Sequence, residues 1–223
     1  MKSLKLSDEA LETIIASLVM GVIIIAIFGL MAGWWNPFAS SELDDEDERF
    51  NIAVFDSPTL GSRDAPVEII EFSDFSCRAC AQFAQEGKLQ VLEYVEEGLV
   101  SFTFKHFPLT SIHPRALSVA NAAMCANNQD AFWEFHDLVF EDISRQEVGD
   151  LQSFARELSL NMTEFNDCLI SGQEIPRVEL DIREGRQAGV RGTPTFFING
   201  KRITGMLTSE RVSEEVALAL TQE

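Results

Sequence analysis

At 223 residues the chain has room for one sizeable globular domain and one shorter segment. It carries 36 Asp and Glu against 17 Lys and Arg, a net charge of −19 that repels phosphate backbones and argues against a nucleic-acid-binding role. Hydrophobic residues make up 46% and include 17 Phe, enough for an aromatic-rich core, whereas four cysteines are too few to be a disulfide scaffold in a domain this large.

No charged residue occurs between Thr13 and Ser41. The apolar centre, residues 14–35, rises about 1.5 Å per residue as a helix and so covers a hydrocarbon core about 30 Å thick. Trp34 and Trp35 stand at its end, where an interfacial aromatic belt belongs. The competing reading is a cleaved signal peptide, whose apolar region usually runs about 7–15 residues. Its best cleavage stretch, Ala39-Ser40-Ser41, comes only after Pro37. The span is therefore read as an uncleaved single-pass transmembrane anchor. Lys2 and Lys5 precede it and Arg49 follows, a bias that sets residues 1–13 on the cytoplasmic side and the bulk of the chain outside, where disulfides persist. Residues 36–50 include SSELDDEDER, too polar to pack, and read as an acidic linker to a domain over 51–223.

Within that domain, Val67 to Phe72 is β-branched and apolar enough for a buried strand. Cys77 to Val95 has helical spacing with Phe83, Leu89, Leu92 and Val95 on one face, and Gly98 stops it. Leu99 to His106 alternates like a second strand. Helices follow at Pro114–Asn127, Ala131–Glu141, Val148–Leu158, Met162–Ser171 and Ile175–Ala188, with Asn161 as an N-cap and Glu164 completing a capping-box pattern. Thr195–Ile198, the turn Asn199-Gly200 and Lys201–Thr204 form a hairpin, and a last helix runs from about Ser209 to Leu220. The fold class is α/β: a small mixed sheet with helices on its faces and a helical insertion over about 110–190, preceded by one transmembrane helix.

Cys77-Arg78-Ala79-Cys80 directly follows the first strand and opens a helix. A thiolate there is stabilised by unpaired backbone N–H groups and the helix dipole, and Arg78 adds positive charge. Cys77 is the exchanging sulfur and Cys80, one turn on, the resolving one. The rival is half a zinc site, which needs two further ligands. Cys125 and Cys168 stand alone, and His106, His113 and His136 show no ligand spacing with the pair, so no metal is expected. His113 and His136 read as helix-cap or surface residues, and Phe132, Trp133 and Phe135 as core.

Phe72 to Cys80 (FSDFSCRAC) together with Gly192 to Gly200 (GTPTFFING) resembles the DsbA-like thioredoxin-fold family, over a match from about Phe50 to the carboxyl end. The resemblance implies a thioredoxin-like fold and several roles. Pro194 corresponds to a cis proline beside the redox pair, with the backbone of Thr193 positioned to pair with an extended substrate. Glu71, six residues before Cys77, corresponds to a buried acid that relays a proton to or from Cys80. Cys125 and Cys168 lie where some similar proteins carry a structural disulfide; an oxidising location favours that over two free buried thiols. Where family members often have proline or histidine between the cysteines, this chain has Arg78-Ala79, which leaves the direction of catalysis open.

The expectation is an extracytoplasmic thiol-disulfide oxidoreductase that introduces disulfides into secreted or membrane proteins, using its own disulfide and no cofactor, with unfolded cysteine-containing proteins as substrates and a membrane partner or small oxidant to restore it. The alternatives are a reductase or isomerase of the same fold, and a redox-inactive, membrane-tethered peptide-binding or assembly module.

Overall fold

A computed structural model of the protein describes residues 8–31, 48–54 and 56–221. They fall into two compact units, divided between Glu46 and Asp47. The first contains helix α1 (Asp8–Met31), whose segment Glu12–Gly29 has a mean hydropathy of 2.3 and is long and apolar enough to cross a membrane; a signal sequence shares those properties. Lys2, Lys5, Trp34, Trp35 and most of the acidic linker lie outside the described residues.

The second unit is built on a five-stranded mixed sheet in the order β1-β3-β2-β4-β5. Strand β2 (Val67–Ser73) is central, parallel to β3 (Val100–His106) and antiparallel to β4 (Thr195–Ile198), which forms a hairpin with β5 (Lys201–Thr204). The near-continuous burial of β2 explains why it reads as an apolar run, whereas β3, whose residues alternate in the sequence, is buried along its whole length all the same. A two-residue edge strand, β1 (Thr59–Leu60), pairs with β3 and is too short to register in the sequence pattern. At the opposite edge, the Arg49 and Phe50 backbones already hold the hairpin turn: Arg49 bridges Lys201, and the Phe50 N–H donates to the Gly200 carbonyl at 2.9 Å.

The segment after Cys77 is not one regular helix. Helix α2 (Arg78–Gln82) runs into a π-helical turn, Phe83–Gly87, before α3 (Lys88–Glu96). A π turn adds one residue to the helical period, so the buried face beyond it shifts by one position. Leu89, expected on that face, is 59% exposed, while Lys88 and Val91 are buried. Gly87 permits the turn: a Cβ there would meet the Leu207 carbonyl oxygen and, at 2.6 Å, the Phe83 ring.

Between β3 and β4 lie five helices, α4 (Ala116–Asn127), α5 (Phe132–Glu141), α6 (Val148–Glu157), α7 (Met162–Ser171) and α8 (Ile175–Gln187). Each has the position its periodicity implied. Asn161 caps α7 by accepting from Thr163 and Glu164, but Glu164 returns to the Asn161 side chain rather than to its backbone N–H, which Gln129 satisfies at 2.7 Å. The reciprocal capping box occurs at α6 instead, between Glu147 and Asp150. Cys125 of α4 and Cys168 of α7 are joined by a disulfide with Cα atoms 5.8 Å apart. Helix α8 docks on β3 through the buried Lys105, paired with Asp181 at 3.1 Å and Glu184 at 2.8 Å, while the other Asp181 oxygen accepts the His106 N–H. Helix α9 (Ser209–Leu220) covers the sheet face formed by Val67, Ile69, Phe196 and Ile198.

Gly87→Ala is expected to destabilise the domain by about 2–3 kcal/mol, because backbone and ring both obstruct the added methyl. Denaturant unfolding checks this; an unchanged midpoint would show that the π turn relaxes freely.

Candidate active site

The strand-to-helix loop at 74–77 is pinned from two sides. Asp74, with a fully buried carboxylate, accepts the Ser76 N–H at 2.8 Å, the Leu109 N–H at 2.8 Å and a His113 ring hydrogen bond at 2.8 Å. Gln146 donates to the Phe75 carbonyl at 2.8 Å and accepts the Ser76 hydroxyl at 2.6 Å. Two distant loops, around 107–115 and 142–148, are thereby fastened to the residues leading into Cys77, and an Arg115–Glu147 ion pair ties them to one another. Sequence reading did not single out Asp74 or Gln146. The cap-type composition of Ser73-Asp74-Phe75-Ser76 was a signal for Asp74; nothing local marks Gln146, whose partners lie 70 residues away.

Cys77 occupies the N-cap of α2 and Cys80 lies within its first turn; both are free thiols. Their environments diverge. Cys77 is 9% exposed, whereas Cys80 is fully enclosed. Hydrogen bonding from the Cys80 thiol lowers the Cys77 pKa to about 5 against the opposing effect of burial, helped by the Thr193 side chain and the backbone N–H groups of Cys80 and Ala79. Burial pushes the Cys80 thiol far upward, reinforced by its bond to Cys77 and by the Glu71 carboxylate. Arg78, expected to assist Cys77, is exposed, and the acidity rests on these short-range donors instead.

The Thr193–Pro194 peptide is cis, and this loop faces the redox pair: the Cys77 thiol donates to the Thr193 carbonyl at 3.3 Å. Bonds from Thr195 Oγ1 to the Gly192 carbonyl at 2.8 Å and from Gly205 N–H to the Pro194 carbonyl at 2.9 Å hold it in place. The Thr193 hydroxyl is buried with no partner in this thiol form, which leaves it free to donate to a thiolate.

Glu71 stands on β2 opposite Phe104, on the face shared with Ile69, and is 1% exposed. It does not face solvent, although it lies near the end of its strand. Oε1 has no hydrogen-bond partner, nor has the buried hydroxyl of Ser73, two residues on. Burial raises the Glu71 pKa to about 8, opposed by Ser73 and Lys88 and reinforced by Cys77. Cys77, Cys80, Glu71, Thr193 and Pro194 are thus gathered at one end of the sheet, while Cys125 and Cys168 lie in the helical block. His136 is no surface residue: it and His106 are buried among Phe75, Phe104 and Phe132, and burial lowers both to about 4. Among the described residues no group of three or more His, Cys, Asp or Glu is arranged to hold a metal ion.

A thioredoxin family model matches residues 54–217, from before the first sheet strand into the last helix. The chain belongs to the thioredoxin family. Among solved thioredoxin-fold structures it is similar to BdbD of Bacillus subtilis in its oxidised form (TM-score 0.70, 23% identity, 78% of this chain and 97% of that one). It is likewise similar to α-DsbA1 of Wolbachia pipientis (TM-score 0.67, 22% identity, 77% and 96%). These likenesses show that the domain shares the overall fold of those proteins. Among curated proteins, an Na(+)/H(+) antiporter NhaA 3 of Salinispora tropica is 35% identical over 159 residues, 71% of this chain and 24% of that protein. The chain thus spans about a quarter of the length of the curated relatives it matches.

The raised Glu71 pKa has a stability consequence. A carboxyl held at about 8 in the folded state, against 4.5 when unfolded, favours folding fully below pH 4.5 and progressively less as pH rises through 8. Glu71→Gln removes that loss and is expected to be more stable than the parent by about 2–4 kcal/mol at pH 8, with little difference at pH 4.5. Unfolding curves at the two pH values decide; an equal difference at both would contradict the buried, neutral acid.

Proposed function

We propose that the protein is an extracytoplasmic thiol-disulfide oxidoreductase, held to the membrane by α1, that oxidises cysteine pairs in secreted or membrane proteins. The observation that carries this reading is the placement of Cys77 at the N-cap of α2, where the Cys80 thiol and the Ala79 and Cys80 N–H groups favour its thiolate, above a fully enclosed Cys80. A strongly stabilised thiolate favours the reduced form of the pair, and a dithiol whose reduced form is favoured passes its disulfide on readily. The shared fold supports thiol-disulfide exchange as the chemistry of the site.

In the first step a substrate thiolate attacks Sγ of Cys77. The Cys77–Cys80 bond breaks, a mixed disulfide forms, and Cys80 leaves as a thiolate that takes its proton from the Glu71 carboxyl. In the second step another substrate thiolate attacks its neighbour's sulfur in that mixed disulfide. The substrate disulfide forms and Cys77 leaves as a thiolate, received by the donors around it. The substrate is oxidised by two electrons and the pair is reduced by two. The Thr193 backbone beside Cys77 offers an extended substrate a place to pair. A membrane partner or small oxidant then restores the disulfide. The Cys125–Cys168 bridge has a structural role in this scheme, tying α4 to α7.

Equilibration of the Cys77–Cys80 pair with glutathione is expected to give a potential near about −120 mV; a value near about −270 mV would make the protein a reductant and contradict the proposed direction. In parallel, the oxidised protein should accelerate refolding of reduced ribonuclease, and Cys77→Ser or Cys80→Ser, neither of which can form the disulfide that starts the reaction, should abolish that acceleration.

A further inference from the structure

Lys88 is an unusual residue to find at the base of a redox centre. It is 4% exposed, on the helix face that the π turn rotates inward. Its ammonium forms an ion pair with Asp137 of α5 and lies 5.7 Å from the centre of the Trp133 ring. Trp133 in turn packs on Phe102 and Phe104 of β3, with ring centres 5.5 and 6.5 Å apart, and Phe104 is the residue directly opposite Glu71 in the β2–β3 register. A buried cation and a buried acid therefore lie on the same side of the sheet, linked through the Trp133 and Phe104 rings.

We propose that Lys88 is a positioning residue for the redox reaction: its charge, partly neutralised by Asp137, sets how readily Glu71 gives and takes the proton of Cys80. The inference rests on Glu71 being that proton carrier, as in the function proposed above. The charged and titratable groups around Glu71 are Cys77 and Cys80 from α2 and Lys88 from α3, with the Ser73 hydroxyl on its own strand; Asp137 and His136 stand behind Lys88 on α5. Among them Lys88 is the group that favours the carboxylate by charge, against burial and the Cys77 thiolate. Asp137 can tune it without being sequestered, because its side chain is 57% exposed and lines an open cavity of about 610 Å³ with Glu134, Leu138 and Glu141. The same carboxylate accepts from His136 at 2.7 Å, so the second partner of Asp137 is a neutral imidazole and leaves the pairing with Lys88 dominant.

The test is the pH dependence of Cys80 release, measured in single turnovers of the oxidised full-length protein with glutathione and expressed per glutathione thiolate. Release assisted by the Glu71 carboxyl slows as that group ionises, giving a limb near pH 8. Lys88→Met is expected to move the limb upward by about one pH unit, Lys88→Arg to leave it in place, and Asp137→Asn, which unmasks the lysine charge, to move it downward. A limb unmoved in Lys88→Met, or moved equally in Lys88→Arg, overturns the inference. If Lys88→Met does not fold, the Asp137→Asn shift decides: downward supports the inference, unmoved or upward overturns it. Glu71→Gln separates the two levels. Loss of the limb in that variant upholds Glu71 as the proton carrier whatever Lys88 does, and its persistence removes the reading on which the inference rests.

Discussion

Two sulfurs separated by one helical turn cannot both carry charge in a site closed to water, and the folded domain decides which one does. The Cys77 sulfur faces the start of α2, where the Ala79 and Cys80 N–H groups and the Cys80 thiol converge on it. Cys80 lies one turn deeper, enclosed by protein and facing an acid. Charge on the outer sulfur is thus stabilised by the same geometry that denies it to the inner one. The surrounding elements serve this division. Asp74 and Gln146 fix the approach to Cys77 from opposite loops, and the loop before β4 supplies the Thr193 carbonyl and an unengaged hydroxyl.

The same site carries a stability burden. Glu71 and Ser73 keep polar atoms without partners in the interior, and such groups cost free energy when left unpaired. A core selected for stability alone would fill those positions with apolar side chains, as it does at the neighbouring Ile69 and Phe72. Polar groups retained at cost beside a reactive pair are where local design rules yield to chemistry. Lys88, a buried ammonium paired with an exposed carboxylate, belongs to the same pattern: a cation held in the interior is weak evidence for stability and is more readily understood through what its charge does to a neighbour.

Much of this was legible in the residues themselves. The strand before Cys77, the helical block and the hairpin were visible because each is a local pattern of apolar spacing or turn residues, and the observed elements begin and end within a few positions of the expected ones. The redox pair was legible because its signal is also local, two cysteines at a strand-to-helix transition. What escaped depends on non-local events. One extra residue in the π turn after Cys80 exchanges Leu89 for Lys88 on the buried face, and a regular 3.6-residue period has no means of anticipating it. A warning was nonetheless present: Gly87 sits mid-helix, and Lys88 falls in line with Ala84, Val91 and Val95, a charge on an apolar stripe. Arg78 erred in the opposite sense. Adjacency in sequence suggested an electrostatic partner, but its side chain lies in solvent, where charge is screened, and backbone donors outweigh it.

The account stands on the ionisation of one sulfur, and ultraviolet absorbance of the thiolate, followed against pH in the reduced protein, reads it directly. A single transition centred near pH 5 that vanishes in Cys77→Ser, with no second thiolate appearing up to the onset of alkaline unfolding, is the predicted result. A transition near the ordinary thiol value of about 8.5, or two overlapping transitions of equal size, would contradict it.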